Sequence, residues 1–421
     1  MAVFVCLALL GAALWGAGAA RADKLITVNS TADSGAGLGC VGGETCTLRR
    51  AVEEITEGKY SGAVTVEFSV HGRIEIGAFG PLELEVPEKV TSVQIAGPGS
   101  GEAVTVSGEE ATRIFEIEGG EVTLERLTLA EGKRDGTTIG ASGGGAIYQG
   151  GGTLLLRDML LRDNSVESSR SGGAIYQDEG NLRIVDSTIE GSSTDSDVFA
   201  GSAGAIFVDT SNSSWLELDG TRITGSTAEG RGGAIFQNSG SMIIKDSELD
   251  HNTATNSGGA LYADADGSEA KTTITESRLL ANTSGSEGGA IYSDNGDAGL
   301  ALVSSTVAGN KADGGAGIVV QGPTTVLRST INANEAAATA GFHGGGIAVN
   351  SSTVEVVAST IANNVGEGIY FQFSGSSVVG STIASNKSNG EAGGIAGPEI
   401  ISVTSSILAY NEGSSGPADC A

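Results

Sequence analysis

The side chains best placed by type and spacing to do chemistry are carboxylates that recur at matching places along the chain. Asp178, Asp209, Asp264 and Asp294 each stand three residues after the isoleucine or leucine of a repeated glycine-rich phrase, with Asn238 in the intervening copy. A second set, Asp158, Asp186, Asp246 and Glu276, opens another repeated phrase. Like charges stacked at repeat intervals repel unless water or a cation screens them, so the columns point either to solvated turns or to calcium, which prefers such oxygen ligands. Calcium is therefore the one cofactor the sequence suggests, with Asp178, Asp209, Asp264 and Asp294 as its candidate ligands. Asp264-Ala265-Asp266-Gly267 shares part of an EF-hand loop's spacing, but Tyr262 and Thr273 stand where its first and twelfth ligands belong.

Acid–base chemistry is harder to place. Glycoside hydrolysis by inversion needs two carboxylates flanking one bond, and no Asp-Asp pair of the galacturonase-like kind occurs. The three histidines, His71, His251 and His343, are scattered, as are the arginines that could serve a lyase as base. No catalytic set is nominated. The aromatic column Tyr148, Tyr176, Phe207, Phe236, Tyr262 and Tyr292 would stack sugars if it faced outward and would be core if inward. Packing or partial exposure is preferred, because sugar platforms usually recruit tryptophan. A net charge of −28, from 51 acidic and 23 basic side chains, removes nucleic acid from the partners to be considered.

What must position these residues is a repeat. From about residue 144 onward a Gly-Gly-Ala-Ile-Tyr phrase alternates with a Ser-Thr-Ile-x-x-Asn phrase, at a period that marks stacked structural units. The second phrase ends in a column of Asn164, Ser192, Ser226, Asn252, Asn282, Asn310, Asn334, Asn364, Asn386 and Asn411. Three residues earlier every copy is aliphatic, from Leu161 to Leu408, and eight residues earlier a second aliphatic column runs from Leu156 to Val403. Alternation with period two between glycine-, asparagine- and serine-rich turns makes short half-buried strands and leaves no room for crossover helices. With 67 glycines and 5% aromatics, the chain suits stacked coils better than one large globular core. The expected fold is all-β, a right-handed parallel β-helix over 61–421, handedness following the rule for parallel connections. The eight asparagines are expected to form an internal ladder, since their amides can satisfy buried turn backbone and tolerate a left-handed conformation.

Residues 1–22 read as a signal peptide, apolar and ending Ala20-Arg21-Ala22, and no later stretch is long and apolar enough to span a bilayer as a helix. Residues 23–60 read as an N-terminal cap. Thr47 is placed as an N-cap ahead of apolar Leu48, Ala51, Val52 and Ile55, with Gly58 beyond the end, giving a short helix that would cover the first coil. Cys40 and Cys46 are expected to form a local disulfide, and Cys420 is left without a partner. On that ground the chain is expected either to be shortened at its C-terminus or to have its last coil closed by another molecule.

Cys46-Thr47-Leu48-Arg49-Arg50-Ala51 resembles the Cys-Ser-Leu-Arg-Glu-Ala stretch of CSLREA domains, with Arg50 in place of glutamate. The coils resemble the Gly-Gly-Ala-Ile and Phe-x-x-Asn repeats of chlamydial polymorphic outer-membrane proteins. The closing Ser406 to Asn411 and Asp419-Cys420 are similar to the end of choice-of-anchor Q proteins. These resemblances imply a secreted or cell-surface bacterial β-helix protein. The expected function is an adhesin-like, glycan-binding or structural module without catalysis, its partners extracellular glycans or host surfaces. The alternative is a lyase or hydrolase acting on an acidic polysaccharide.

Overall fold

The computed structural model describes residues 24–421 apart from 35–38, 41–44, 100–102, 136–142, 168–170, 196–201, 211–213, 265–270, 297, 338–343, 373–374 and 398–400. The expected signal peptide and His343 lie outside the described residues. The chain is a right-handed parallel β-helix of about 11 turns, in agreement with the sequence reading. Among the described residues, strands assemble into parallel sheets of 14, 13, 12 and 8 strands.

One coil shows how residue type sets the path. Ile147–Gln149 lies in the 12-stranded sheet, Thr153–Arg157 in the 14-stranded, Leu160–Arg162 in the 13-stranded and Ser165–Val166 in the 8-stranded. Leu154, Leu156 and Leu161 point inward and are fully buried, while Leu155 and Leu160 between or beside them are part-exposed. Each strand then pairs in register with its copy one coil on, as Ile147 with Ile175 and Leu161 with Ile189. Equivalent positions therefore stack at the strand spacing of about 4.8 Å.

The corner between the 14- and 13-stranded sheets is turned by one residue with positive φ, Asp158 at 51°, Asp186 at 47° and Glu276 at 52° among them. Behind it stands a serine column, buried from Ser247 to Ser381 and ending in part-exposed Ser406, that the sequence reading did not single out. Each hydroxyl accepts from the backbone amide at the matching position one coil earlier, as Ser305 Oγ does from Ser277 at 3.1 Å and Ser247 Oγ from Thr221 at 3.1 Å, and donates to a carbonyl two residues back, Val303 at 2.8 Å in the case of Ser305.

At the N-terminus, Lys24–Val28 pairs with Gly62–Phe68, so the segment before the helix already forms the first rung of the 14-stranded sheet. The helix α1, Leu48–Thr56, starts at Thr47, whose hydroxyl accepts from Arg50 N at 3.1 Å. It buries Leu48, Ala51, Val52 and Ile55 against the first rung and the strand Leu82–Glu85. Cys40 and Cys46 are disulfide-bonded, with Cα atoms 4.6 Å apart. Arg49 is buried and grips Asp33 through two bonds of 2.7 and 2.9 Å while donating to the carbonyls of Gly80 and Pro81. That clasp joins three separate segments.

At the other end the coil is covered on one side only. Residues from Ala418 return beside Ile395, while Ile407 is 61% and Val403 38% exposed. Cys420 is a free, exposed thiol.

Candidate ligand groove

The eight asparagines Asn164, Asn252, Asn282, Asn310, Asn334, Asn364, Asn386 and Asn411 are all buried, each in the turn that follows a strand of the 13-stranded sheet. Asn282 shows the pattern. Its Nδ2 donates to Leu249 O at 2.9 Å and to Asn310 Oδ1 at 3.0 Å, while its Oδ1 accepts from both the backbone N and the Nδ2 of Asn252 at 3.0 Å. At the far end Asn411 Nδ2 donates to Asp419 Oδ1 at 2.9 Å, a carboxylate standing where the next amide oxygen would be. These side chains face inward and are closed to ligands.

The aromatic column lies on the outer side of the 12-stranded sheet as one stack, with successive ring centroids 6.0, 5.1, 5.1, 4.9 and 4.9 Å apart. It is nevertheless no open sugar platform. Phe207, Phe236 and Tyr262 are at most 5% exposed, and Ala203 packs on them. Burial pushes the phenol of Tyr292 up to about 12 and raises those of Tyr176 and Tyr262 as well.

The stack also accounts for the carboxylates beside it. Tyr148 donates to Asp178 at 2.7 Å and Tyr176 to Asp209 at 3.1 Å, while Asn238 Nδ2 donates to the other Asp209 oxygen at 2.7 Å. Arg231 reaches Asp264 at 3.8 Å and lies 4.7 Å from the ring centroid of Tyr262. Phenol, amide and guanidinium groups are the neighbours of this column, which Asp294 ends. Among the described residues no three His, Cys, Asp or Glu side chains gather around one point, so the calcium expectation for Asp178, Asp209, Asp264 and Asp294 finds no assembled ligand set.

A charged patch lies on the outer face of the 13-stranded sheet. Arg222 clamps Asp250 with bonds of 2.8 and 2.7 Å, and Thr224 and His251 Nδ1 add contacts of 3.0 and 2.7 Å. Burial works against the Asp250 charge, but these hydrogen bonds outweigh it and hold the carboxyl below its usual range. A carboxylate so committed orients its neighbours and does not deliver protons at neutral pH.

One concave feature lies further toward the N-terminus, along the corner between the 14- and 13-stranded sheets. It is an open groove of about 600 Å³. Its floor takes the same positions from three successive coils: Arg126 to Thr128, Asp158 to Leu160, and Asp186 with Thr188. Thr128, Leu160 and Thr188 are directly paired in register and face outward. Pro98 and Gly99 make a wall, which is pinned because Arg126 Nε donates to Gly97 O at 3.1 Å. Glycine is required at 97, since a Cβ there would stand 2.0 Å from Arg126 O. Asp158 and Asp186 are exposed at their left-handed corners, and a Cβ on Gly220 would meet Asp186 Oδ1 at 2.6 Å, so glycine leaves room for that carboxylate to lie across the next rung. The sequence reading saw these aspartates as a column; the groove arises only when the 97–99 segment folds against the corner.

Residues 246–264 match the model of the Chlamydia polymorphic membrane protein repeat. A comparison with curated proteins gives no match. Among solved structures, the chain is similar to the mannuronan C-5 epimerase AlgE6 A-module of Azotobacter vinelandii, at 13% identity and a TM-score of 0.47 over 85% of this chain and 94% of that one. It is also similar to PfbA, a surface adhesin of Streptococcus pneumoniae, at 10% identity and a TM-score of 0.35 over 87% and 88%. At these identities and scores the likeness carries no argument about activity.

Proposed function

We propose that the protein is a secreted or surface-exposed β-helix that binds extracellular glycans through the corner groove and has no catalysis of its own there. The groove carries the reading: it is open, spans three successive coils and is lined by hydroxyl, carboxylate and apolar side chains, a form that suits a linear polymer. Its two carboxylates stand in one row along the axis, on the same side of any chain lying in the groove. Hydrolysis needs a pair that brackets the bond, so this row favours holding a glycan over cleaving it. The chlamydial repeat match and the acidic surface fit a location outside the cell.

The test is a glycan array with and without calcium, followed by incubation of every bound glycan and assay for unsaturated uronates and new reducing ends. Binding without bond cleavage is the expected outcome. Turnover would replace this reading with the enzymatic one, and a blank array would remove it.

A further inference from the structure

We propose that the outer face of the 14-stranded sheet, over its last coils, docks a second copy of this chain related by a two-fold axis perpendicular to that face. The face changes character part-way along the molecule. One outward row, paired rung to rung, reads Glu125, Arg157, Val185, Asp219 and Lys245 in the earlier coils. Past Thr275 the same row becomes Val303, Leu327, Val357 and Val379, all part-exposed. The neighbouring row and the corner lose Arg183, Glu217, Asp186 and Asp246 in the same way. From Ala301 to Ser405 the charges on these outward positions, among the described residues, are Arg328 and Glu355 alone. A half-apolar, nearly uncharged face is where two chains of net charge −28 can approach without repulsion.

The two remaining charges fit such a pair. Both are exposed, Arg328 Nε reaches Ser304 Oγ at 3.4 Å, and neither has an ion-pair partner among the described residues. Thr325 pairs with Glu355, so Glu355 stands one rung beyond Arg328 and three positions before its own corner. A two-fold through the midpoint of the two places exchanges them, setting each Arg328 over the other copy's Glu355, as a self-complementary interface requires. Glu355 lies on the floor of an open groove of about 400 Å³, which seats the incoming guanidinium, and the same axis brings the second copy's Leu327 beside Val357. About six rungs overlap, on the order of 500 Å² per partner, which is small for a stable dimer and sets an expected dissociation constant of about 10 μM. The coils of Arg126, Asp158 and Asp186 lie beyond the overlap, so the pairing leaves the corner groove of each copy open and does not depend on what that groove binds.

Analytical ultracentrifugation of the full chain from about 1 to about 100 μM, in reducing buffer at about 0.15 M salt, tests the pairing. A reversible monomer–dimer equilibrium is expected. Arg328→Glu and Glu355→Arg should each weaken it at least about tenfold by setting like charges against each other, and the double variant carrying both changes should return to within about threefold of the parent chain. The variants keep the fold, because Glu276 already holds the corner position of Arg328 at a φ of 52° and Arg183 the row position of Glu355. Lys311→Glu, the same change of charge on the 8-stranded sheet, should shift the equilibrium less than about twofold. A chain that stays monomeric at about 100 μM would overturn the inference. So would a dimer that survives both single reversals, or a double variant no tighter than the singles. Reductant keeps the exposed thiol of Cys420 from linking copies, so a dimer seen only without it would count against this face as well.

Discussion

Two stretches of the same β-helix are held together differently. From Asn252 to Asn411 the inner corner carries an amide in each coil, every one donating to the next, and beyond Tyr262 and Tyr292 the outer ladder of the 12-stranded sheet dwindles to Val319, Ala348, Tyr370 and Ala396. In the coils of Ser192 and Ser226 the amide is missing, and both serine hydroxyls are buried with no hydrogen-bond partner. Those are the coils that Tyr176, Phe207 and Phe236 stack upon from outside. Coil pairing is thus set by backbone registry and the aliphatic wall, while reinforcement can come from polar groups within or from rings without.

The largest effect should come from cutting the inner ladder where it is continuous. Asn282→Ala removes the acceptor for Asn252 N and Nδ2 and the donor for Leu249 O. With buried groups left unpaired, the cost should be about 1–3 kcal/mol. Ser226→Ala removes a hydroxyl that bonds to nothing and should stay within about 0.5 kcal/mol. Hydrogen exchange at the two sites is the proper measurement, because a solenoid loosens coil by coil. Equal protection losses at both sites would mean that the amides do not reinforce the C-terminal coils.

The same contrast explains what could be read from the chain. The β-helix was legible because residues such as Leu161 and Ile189 recur at one place in every copy, and a column admits few readings. The asparagine column was legible for the same reason. The serine column through Ser277 and Ser305 was overlooked because serine is common in any turn, and nothing in its spacing separates a buried acceptor from a solvated one. The groove was hidden for another reason: it depends on Arg126 reaching Gly97, a contact between unlike segments that no periodicity announces. Arg49 belongs with it, since its partners Asp33, Gly80 and Pro81 follow no repeat.

A smaller effect, of opposite sign, should follow from mending the broken ladder. Ser226→Asn would place an amide between the coils of Ser192 and Asn252, where Asn252 Oδ1 already accepts from the backbone N of residue 226 at 3.0 Å. Ala205 is no obstacle, because Ala234 and Ala260 hold the same repeat position in the coils of Asn252 and Asn282. A gain of about 1 kcal/mol is expected, seen as a higher melting temperature. A loss would show that the stacked rings and the amide compete for the same coil geometry.

The smallest effect should separate the two stretches by pH. The phenols of Tyr262 and Tyr292 are raised by burial, so the folded chain holds them neutral while the unfolded chain ionises them near pH 10. Below that value both states carry the proton and pH has no leverage. Above it the unfolded state releases protons first, so stability falls as pH rises toward the folded values. The asparagine ladder contains no group that titrates there. Between pH 10 and 11, coils from Tyr148 to Tyr292 should therefore lose exchange protection, after correction for the intrinsic rate, before those from Asn334 to Asn411. Tyr262→Phe, which keeps the ring contacts with Phe236 and Tyr292 and deletes the ionisable oxygen, should reduce that early loss. If the variant opens at the same pH as the parent chain, ionisation of the stack does not set the alkaline limit, and the rings serve as packing alone.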